Sequence, residues 1–121
     1  MVKALLDTNV LIDALKGFPE ARAELERYEN PAISIITWME VMVGAETAVA
    51  PATQAFLSGF TLIALDDKIA ARAVALRKQP RIRLPDAVIW ASAQTHNMLL
   101  VTRNTKDFPT DDPAVRMPYH L

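Results

Sequence analysis

The sequence predicts a single α/β domain in which a parallel sheet is covered by helices on both faces. Short apolar strands alternate with helical segments along most of the chain. The strands lack the every-second-residue polarity that a sheet with one solvated face requires. A length of 121 residues is enough for one core and too short for two ordinary domains, and 51% apolar with 22% charged residues is a globular composition. Residues 1–121 are therefore read as one unit.

Residues 2–6 form the first buried strand, a short apolar run that gives way to polar residues at Asp7 and Thr8. A helix from Thr8 to Lys16 stops at Gly17 and Pro19, and a charged helix follows from Glu20 to Tyr28, left by the Asn30-Pro31 turn. The β-branched run 32–36 predicts a second strand. Thr37 then caps a helix to Ala45, with Glu40 at the Thr-x-x-Glu capping-box spacing. Pro51 to Ser58 gives a further helix that Gly59 ends.

Residues 60–64 predict the third strand, and Asp66 caps an amphipathic helix from Lys68 to Lys78. After the basic stretch 77–83, Pro85 opens a helix to His96 that is apolar on most sides and so must be buried. Residues 98–101 form the fourth strand, and 115–117 form a short fifth.

The chain has no cysteine, which removes disulfides and thiolate chemistry. No signal-peptide pattern opens it and no apolar run approaches about 18–20 residues, so a soluble, cytoplasmic protein is expected. Net charge is −1, but residues 1–60 carry 4 Lys and Arg against 8 Asp and Glu, whereas residues 61–121 carry 9 against 6. The basic stretch beside Asp86 either steers a polyanion toward that acid or is simply a solvated helix end and loop. With glycine only at 17, 44 and 59, no glycine-rich phosphate loop exists.

Four acids stand in apolar surroundings: Asp7, Glu40, Asp86 and Asp107. In a parallel sheet their positions fall on the side of the strands' carboxyl ends, where α/β folds bind ligands. Clustered carboxylates repel one another, and such a pocket either protonates or recruits a cation. Oxygen-only ligands suit Mg²⁺ or Mn²⁺, whereas zinc lacks cysteine and finds no ligand spacing in His96 and His120. A cation held this way serves phosphodiester hydrolysis.

Taken singly, each acid also has an ordinary explanation. Asp7 or Thr8 can cap a helix, Glu40 can complete the capping box, Asp86 can favour a helix dipole, and Asp107 can serve the turn at Phe108-Pro109. Asp13 reads as a helix-face charge rather than a ligand, and His96 as a surface residue at a helix end. Trp38, Trp90, Met39 and Met42 read as core or subunit-interface residues.

The ordered set carries more than its members. Leu5-Leu6-Asp7-Thr8-Asn9-Val10-Leu11-Ile12-Asp13, Ser34 to Gly44 with Thr37 and Glu40, Leu84-Pro85-Asp86-Ala87 onward to Ala93, and Leu100-Val101-Thr102-Arg103-Asn104-Thr105-Lys106-Asp107-Phe108 together resemble the PIN-domain family. More narrowly, they resemble the VapC toxins of prokaryotic toxin–antitoxin pairs, and the resemblance spans residues 2–108.

The resemblance implies a three-layer α/β/α sandwich with about five parallel strands, and a Mg²⁺- or Mn²⁺-dependent endoribonuclease. Asp7, Glu40 and Asp86 match the family's three main acids and Asp107 its more variable fourth. Asn9, Thr37, Thr102 and Asn104 match polar positions that orient acids or water. The metal would rest chiefly on Asp7 and Asp86, with Glu40 and Asp107 completing the charge or positioning water. A homodimer and a cognate VapB antitoxin, whose tail enters the acidic groove, are implied as partners, and RNA as substrate.

Other readings fit less well. A phosphoacceptor receiver domain needs adjacent acids after its first strand, and an aspartyl phosphatase needs a second acid where Asn9 stands. A catalytically silent RNA-binding or scaffold version of the fold is the remaining alternative.

Overall fold

A computed structural model describes residues 2–78 and 81–121. Its sheet has five strands, β1 (Ala4–Leu6), β2 (Ala32–Ser34), β3 (Thr61–Ile63), β4 (Leu99–Val101) and β5 (Val115–Arg116), in the order β3-β2-β1-β4-β5. All neighbours pair in parallel. The helices are α1 (Thr8–Leu15), α2 (Pro19–Glu26), α3 (Ile35–Gly44), α4 (Ala50–Leu57), α5 (Asp67–Arg77) and α6 (Leu84–Thr95).

The expected α/β architecture with five parallel strands is thus present, including the short fifth strand. The chain builds outward from β1 through β2 to β3, then returns to the other side of β1 with β4 and β5. The order reverses at β1, and α/β folds bind ligands outside the carboxyl ends of strands at such a reversal.

Alternation along each strand divides the core into two layers. Leu5, Ala32, Ile63, Leu100 and Val115 pack with Ile69, Ala73 and Leu76 of α5 and Ala87, Val88 and Ile89 of α6. Ala4, Leu6, Ile33 and Val101 face the opposite way, against Val10 and Leu11 of α1, Val41 of α3 and Leu57 of α4. Both faces of the central strands are covered, which is why their sequences read as unbroken apolar runs. At the sheet's edge, β3 is covered less completely, and Leu62 is 48% exposed.

Two helix ends show how the sequence sets the boundaries. Gly17 adopts a left-handed φ of +88° and donates to the Ala14 carbonyl, closing α1. Asn97 takes the same role after α6 with φ +54°, and Met98 then donates back to the Ala93 carbonyl at 2.8 Å.

The expected capping box is absent. Ser34 caps α3, its hydroxyl accepting from the Ile36 amide at 3.1 Å, so Ile35 and Ile36 belong to the helix and not to the strand. Thr37 consequently lies inside the helix, fully buried, and Glu40 is freed from any capping role. Ser34 prevails because its side chain reaches a free amide directly where the strand ends, three residues before Thr37 could. Within the basic stretch, Gln79 and Pro80 lie outside the described residues.

One long-range ion pair ties the second helix to the last strand. Arg116 of β5 grips the buried Glu24 of α2 with two hydrogen bonds, at 2.8 and 3.0 Å, and the Tyr28 hydroxyl donates to the same carboxylate at 2.7 Å. Burial pushes the Glu24 carboxyl up, but these donors outweigh it and hold it below its ordinary value. Its contribution to stability is therefore present above the ordinary 4.5 and lost as pH falls through the lowered value. Arg116→Ala removes the two guanidinium hydrogen bonds on buried Glu24, leaving it only Tyr28 and the Arg27 guanidinium 3.7 Å away, and should destabilise the fold by about 2 kcal/mol at pH 7. Because Glu24 can then protonate, the loss should shrink near pH 4, which urea denaturation at the two pH values will measure.

Candidate active site

Asp7 follows β1 directly and caps α1 with extended backbone. Its carboxylate is 4% exposed, a placement tolerable only because donors surround it. Oδ1 accepts from the Thr8 amide at 2.8 Å, and Oδ2 accepts from the Thr102 hydroxyl at 2.7 Å and the Asn9 side-chain amide at 3.2 Å. Burial raises the Asp7 pKa and Glu40 adds to the rise; the donors pull against it without cancelling it.

Asp86 occupies the first turn of α6. It is buried, and among the described residues its Oδ2 has no hydrogen-bond partner. Arg83, largely open to solvent, lies 3.6 Å from that oxygen, too far for a hydrogen bond. Burial first, then the charge of Asp7, push the carboxyl up to about 6, with Asp107 and Glu40 adding and Arg83 opposing. All three other acids are therefore felt at Asp86.

Glu40 projects from α3, where its Oε1 accepts from the Thr8 hydroxyl at 2.7 Å. The Thr37 hydroxyl, 3.1 Å from that of Thr8, completes a short chain from α3 through α1 and back. Asp107 lies on the loop after β4 and is braced by Asn104, whose side-chain amide donates to its Oδ2 at 2.9 Å. The Asn104 backbone amide in turn donates to the Thr102 hydroxyl oxygen at 2.9 Å. Thr102 thus touches both Asp7 and the segment that carries Asp107.

The four acids and the four polar residues singled out from sequence lie on one side of the sheet, around the carboxyl ends of β1 and β4. Asn9 and Thr102 hold Asp7, Asn104 holds Asp107, and Thr37 reaches Glu40 through Thr8. Thr8 itself was read as a rival cap, and its contact with Glu40 had no local signal.

A second set escaped sequence reading altogether. Asp13, expected as a helix-face charge rather than a ligand, is buried and carries the Arg103 guanidinium on both carboxylate oxygens, while the Tyr119 hydroxyl donates to it at 2.7 Å. The Arg103 backbone amide donates to Asn9 Oδ1 at 3.2 Å. Tyr119, Asp13 and Arg103 therefore brace the turn that presents Asn9 and Thr102 to Asp7. Tyr119 lies more than a hundred residues from Asp13, and no short motif connects them.

The donor set suits a hard divalent cation: every candidate ligand is an oxygen, and the unpartnered Asp86 Oδ2 is available. Among the described residues no three acid or imidazole side chains are gathered tightly enough to cage an ion by themselves. Magnesium does not require a cage, since it is commonly bound by one or two carboxylates and keeps several waters.

Comparison with known proteins gives concordant results. Residues 4–110 match the PIN domain family. A "tRNA(fMet)-specific endonuclease VapC" of Salmonella typhimurium is 31% identical, over 89% of this chain and 91% of its own. "Ribonuclease VapC10" of Mycobacterium tuberculosis is 32% identical over 96% of both chains. A toxin–antitoxin complex from Klebsiella pneumoniae contains a chain 49% identical to this one, with a TM-score of 0.91 over 98% of this chain and 100% of that one.

The burial of Asp86, with the neighbouring acids adding to it, has a thermodynamic signature. An aspartate whose folded-state pKa is raised weakens the fold once pH passes the ordinary 3.8, and the penalty is complete above about 6. Asp86→Asn should leave stability nearly unchanged at pH 4 and raise it by about 1–2 kcal/mol at pH 8, allowing for solvent screening. Denaturation of the metal-free protein in EDTA at both pH values measures this difference.

Proposed function

The chain belongs to the PIN-domain family and is a VapC-type ribonuclease toxin of a VapBC system, and on that premise we propose that it is a Mg²⁺- or Mn²⁺-dependent endoribonuclease whose centre is Asp7, Glu40, Asp86 and Asp107. The observation that carries this is the placement of Asp86, buried in the first turn of α6 with Oδ2 unpartnered, near Asp7, which three donors fix at the end of β1; burial first, then the charges of Asp7, Asp107 and Glu40, push the Asp86 carboxyl up. Negative charge brought together at a buried, unpartnered carboxylate oxygen supports a cation-binding role over four independent helix and turn residues.

Asp7 and Asp86 would hold the ion, the first fixed by its three donors and the second offering its free oxygen. When bound, the ion would offset charge on the scissile phosphate and make a nearby water a stronger nucleophile. Glu40 is held at one oxygen by Thr8, which leaves the other to take a proton from the attacking water. Asp107, steadied by Asn104, completes the negative charge on the opposite flank.

A VapB-type antitoxin is the proposed protein partner, consistent with the toxin–antitoxin complex that holds the Klebsiella pneumoniae chain. A homodimer is supported by the exposed apolar side chains Met39 and Val43, one turn apart on α3 and 43% and 86% exposed. Among the described residues no helix is long and apolar enough to cross a membrane.

Cleavage of RNA with Mg²⁺ or Mn²⁺ tests the reading directly. Transfer RNA is the first substrate to offer, because the Salmonella typhimurium relative is named for tRNA(fMet). Asp7→Asn should lower kcat about a thousandfold, equivalent to about 4 kcal/mol of transition-state stabilisation, with the fold retained by circular dichroism. Cleavage by the variant at the parent rate would remove Asp7 from the site. Tyr119→Phe keeps the ring but loses the hydroxyl on Asp13, and should lower kcat about three- to tenfold with KM little changed, as expected for loss of an outer positioning contact. Steady-state kinetics separates the two parameters.

A further inference from the structure

Next to the acids lies a cavity of about 340 Å³, with Asp107 in its wall beside Arg81, Lys106, Trp90, Phe108 and Ile82. Its floor is apolar. Ile82 and Phe108 are buried, and Trp90 is half-buried with its ring edge-on to Phe108, the centroids 5.7 Å apart. Its rim is cationic, since Arg81 and Lys106 both stand exposed. Of the other cations near the acids, Arg103 is clamped on Asp13, and the exposed Arg83 lies 3.6 Å from Asp86 without hydrogen-bonding it. Among the described residues neither Arg81 nor Lys106 takes part in an ion pair.

We propose that this cavity is a nucleotide subsite, taking one base of single-stranded RNA against Trp90 and its adjoining phosphate between Arg81 and Lys106. The proposal rests on the ribonuclease reading and deepens it. Four carboxylates repel a polyanion, so RNA must be anchored on a flank where positive charge offsets that repulsion. An aromatic floor below a cationic rim suits a nucleotide, because a base has an apolar face to stack and a phosphate to pair. The cavity lies at the small end of ligand-site volumes, matching one nucleotide rather than a protein element. Sharing Asp107 with the acid centre, it would also fix which phosphate of the strand lies over Asp7 and Asp86. The basic stretch noted in the sequence, through Arg81, then has a defined task.

The test uses the full chain. In EDTA, which suspends metal-dependent cleavage, poly(U) and poly(A) oligomers are titrated while Trp90 emission is followed in a Trp38→Phe background. Saturable quenching is expected. An Arg81→Ala/Lys106→Ala double variant should bind about tenfold more weakly, with a log–log salt slope shallower by about 1. In Mg²⁺ the same variant should raise KM for RNA more than it lowers kcat. Trp90→Phe, which keeps a ring against Phe108 but removes the emission reporter, should weaken binding about threefold, read by the anisotropy of a fluorescein-labelled oligomer, with thermal stability retained.

Unchanged binding and KM in the double variant would overturn the subsite, as would RNA binding that leaves Trp90 emission unaltered. Quenching by poly-L-glutamate as strong as that by RNA would also overturn it, assigning the cavity to an acidic protein tail. A parent protein that binds RNA with quenching yet cleaves none in Mg²⁺ or Mn²⁺ would support the subsite while removing the proposed catalytic centre.

Discussion

The structure turns on a carboxylate buried at the end of the central strand. Asp7 has almost no access to water, and so its oxygens must find donors within the protein. Two come from the start of α1, Thr8 and Asn9, and the third comes from Thr102 at the end of β4. The last is possible only because β1 and β4 pair with Leu6 opposite Val101, which brings the residues after each strand side by side. The Asp7 amide itself extends that ladder by donating to the Val101 carbonyl at 2.9 Å. A register slip of one residue would turn Leu6 and Val101 to the wrong layer and separate Thr102 from Asp7. Site geometry and core packing are thus specified by the same pairing.

Beyond that centre, two buried carboxylates on α1 and α2 hold the carboxyl-terminal part of the chain in place. Asp13 binds Arg103 and Tyr119, and Glu24 binds Arg116 and Tyr28. Each pairs an acid on an early helix with an arginine from the β4–β5 region, where an isolated buried charge would be costly. The Arg103 pair bears on function because its backbone also holds Asn9. Charge is therefore used in two ways. Outer acids are fully paired and anchor segments, whereas Asp86 at the centre is left with an unpartnered oxygen. Such incomplete satisfaction costs stability and leaves a group free to bind a ligand.

Much of this was legible in the sequence because local chemistry determines it. Apolar runs marked the central strands, Asp66 and Gly17 marked helix ends, and the ordered set of acids marked the candidate site. Misreadings arose where two local signals competed or where partners were remote. Ser34 and Thr37 could both cap α3, and only the path of the chain out of β2 gives the role to Ser34. Placing Thr37 inside the helix turned an apparent capping box into a polar link to Thr8 and Glu40. Asp13 has the helical spacing of a surface charge, and its burial depends on Arg103 and Tyr119, which tertiary packing brings to it.

The central claim is that Asp7, Glu40, Asp86 and Asp107 act as one charge-crowded centre that a divalent ion relieves. Carboxyl-resolved NMR titration, run on the metal-free protein and again with Mg²⁺, tests it most directly. The account predicts that Asp86 titrates near 6 without metal, and that Mg²⁺ lowers this value while shifting the Asp7 and Asp86 carboxyl signals together. Titration of Asp86 near the ordinary 3.8, with no response at either residue to Mg²⁺, would contradict it.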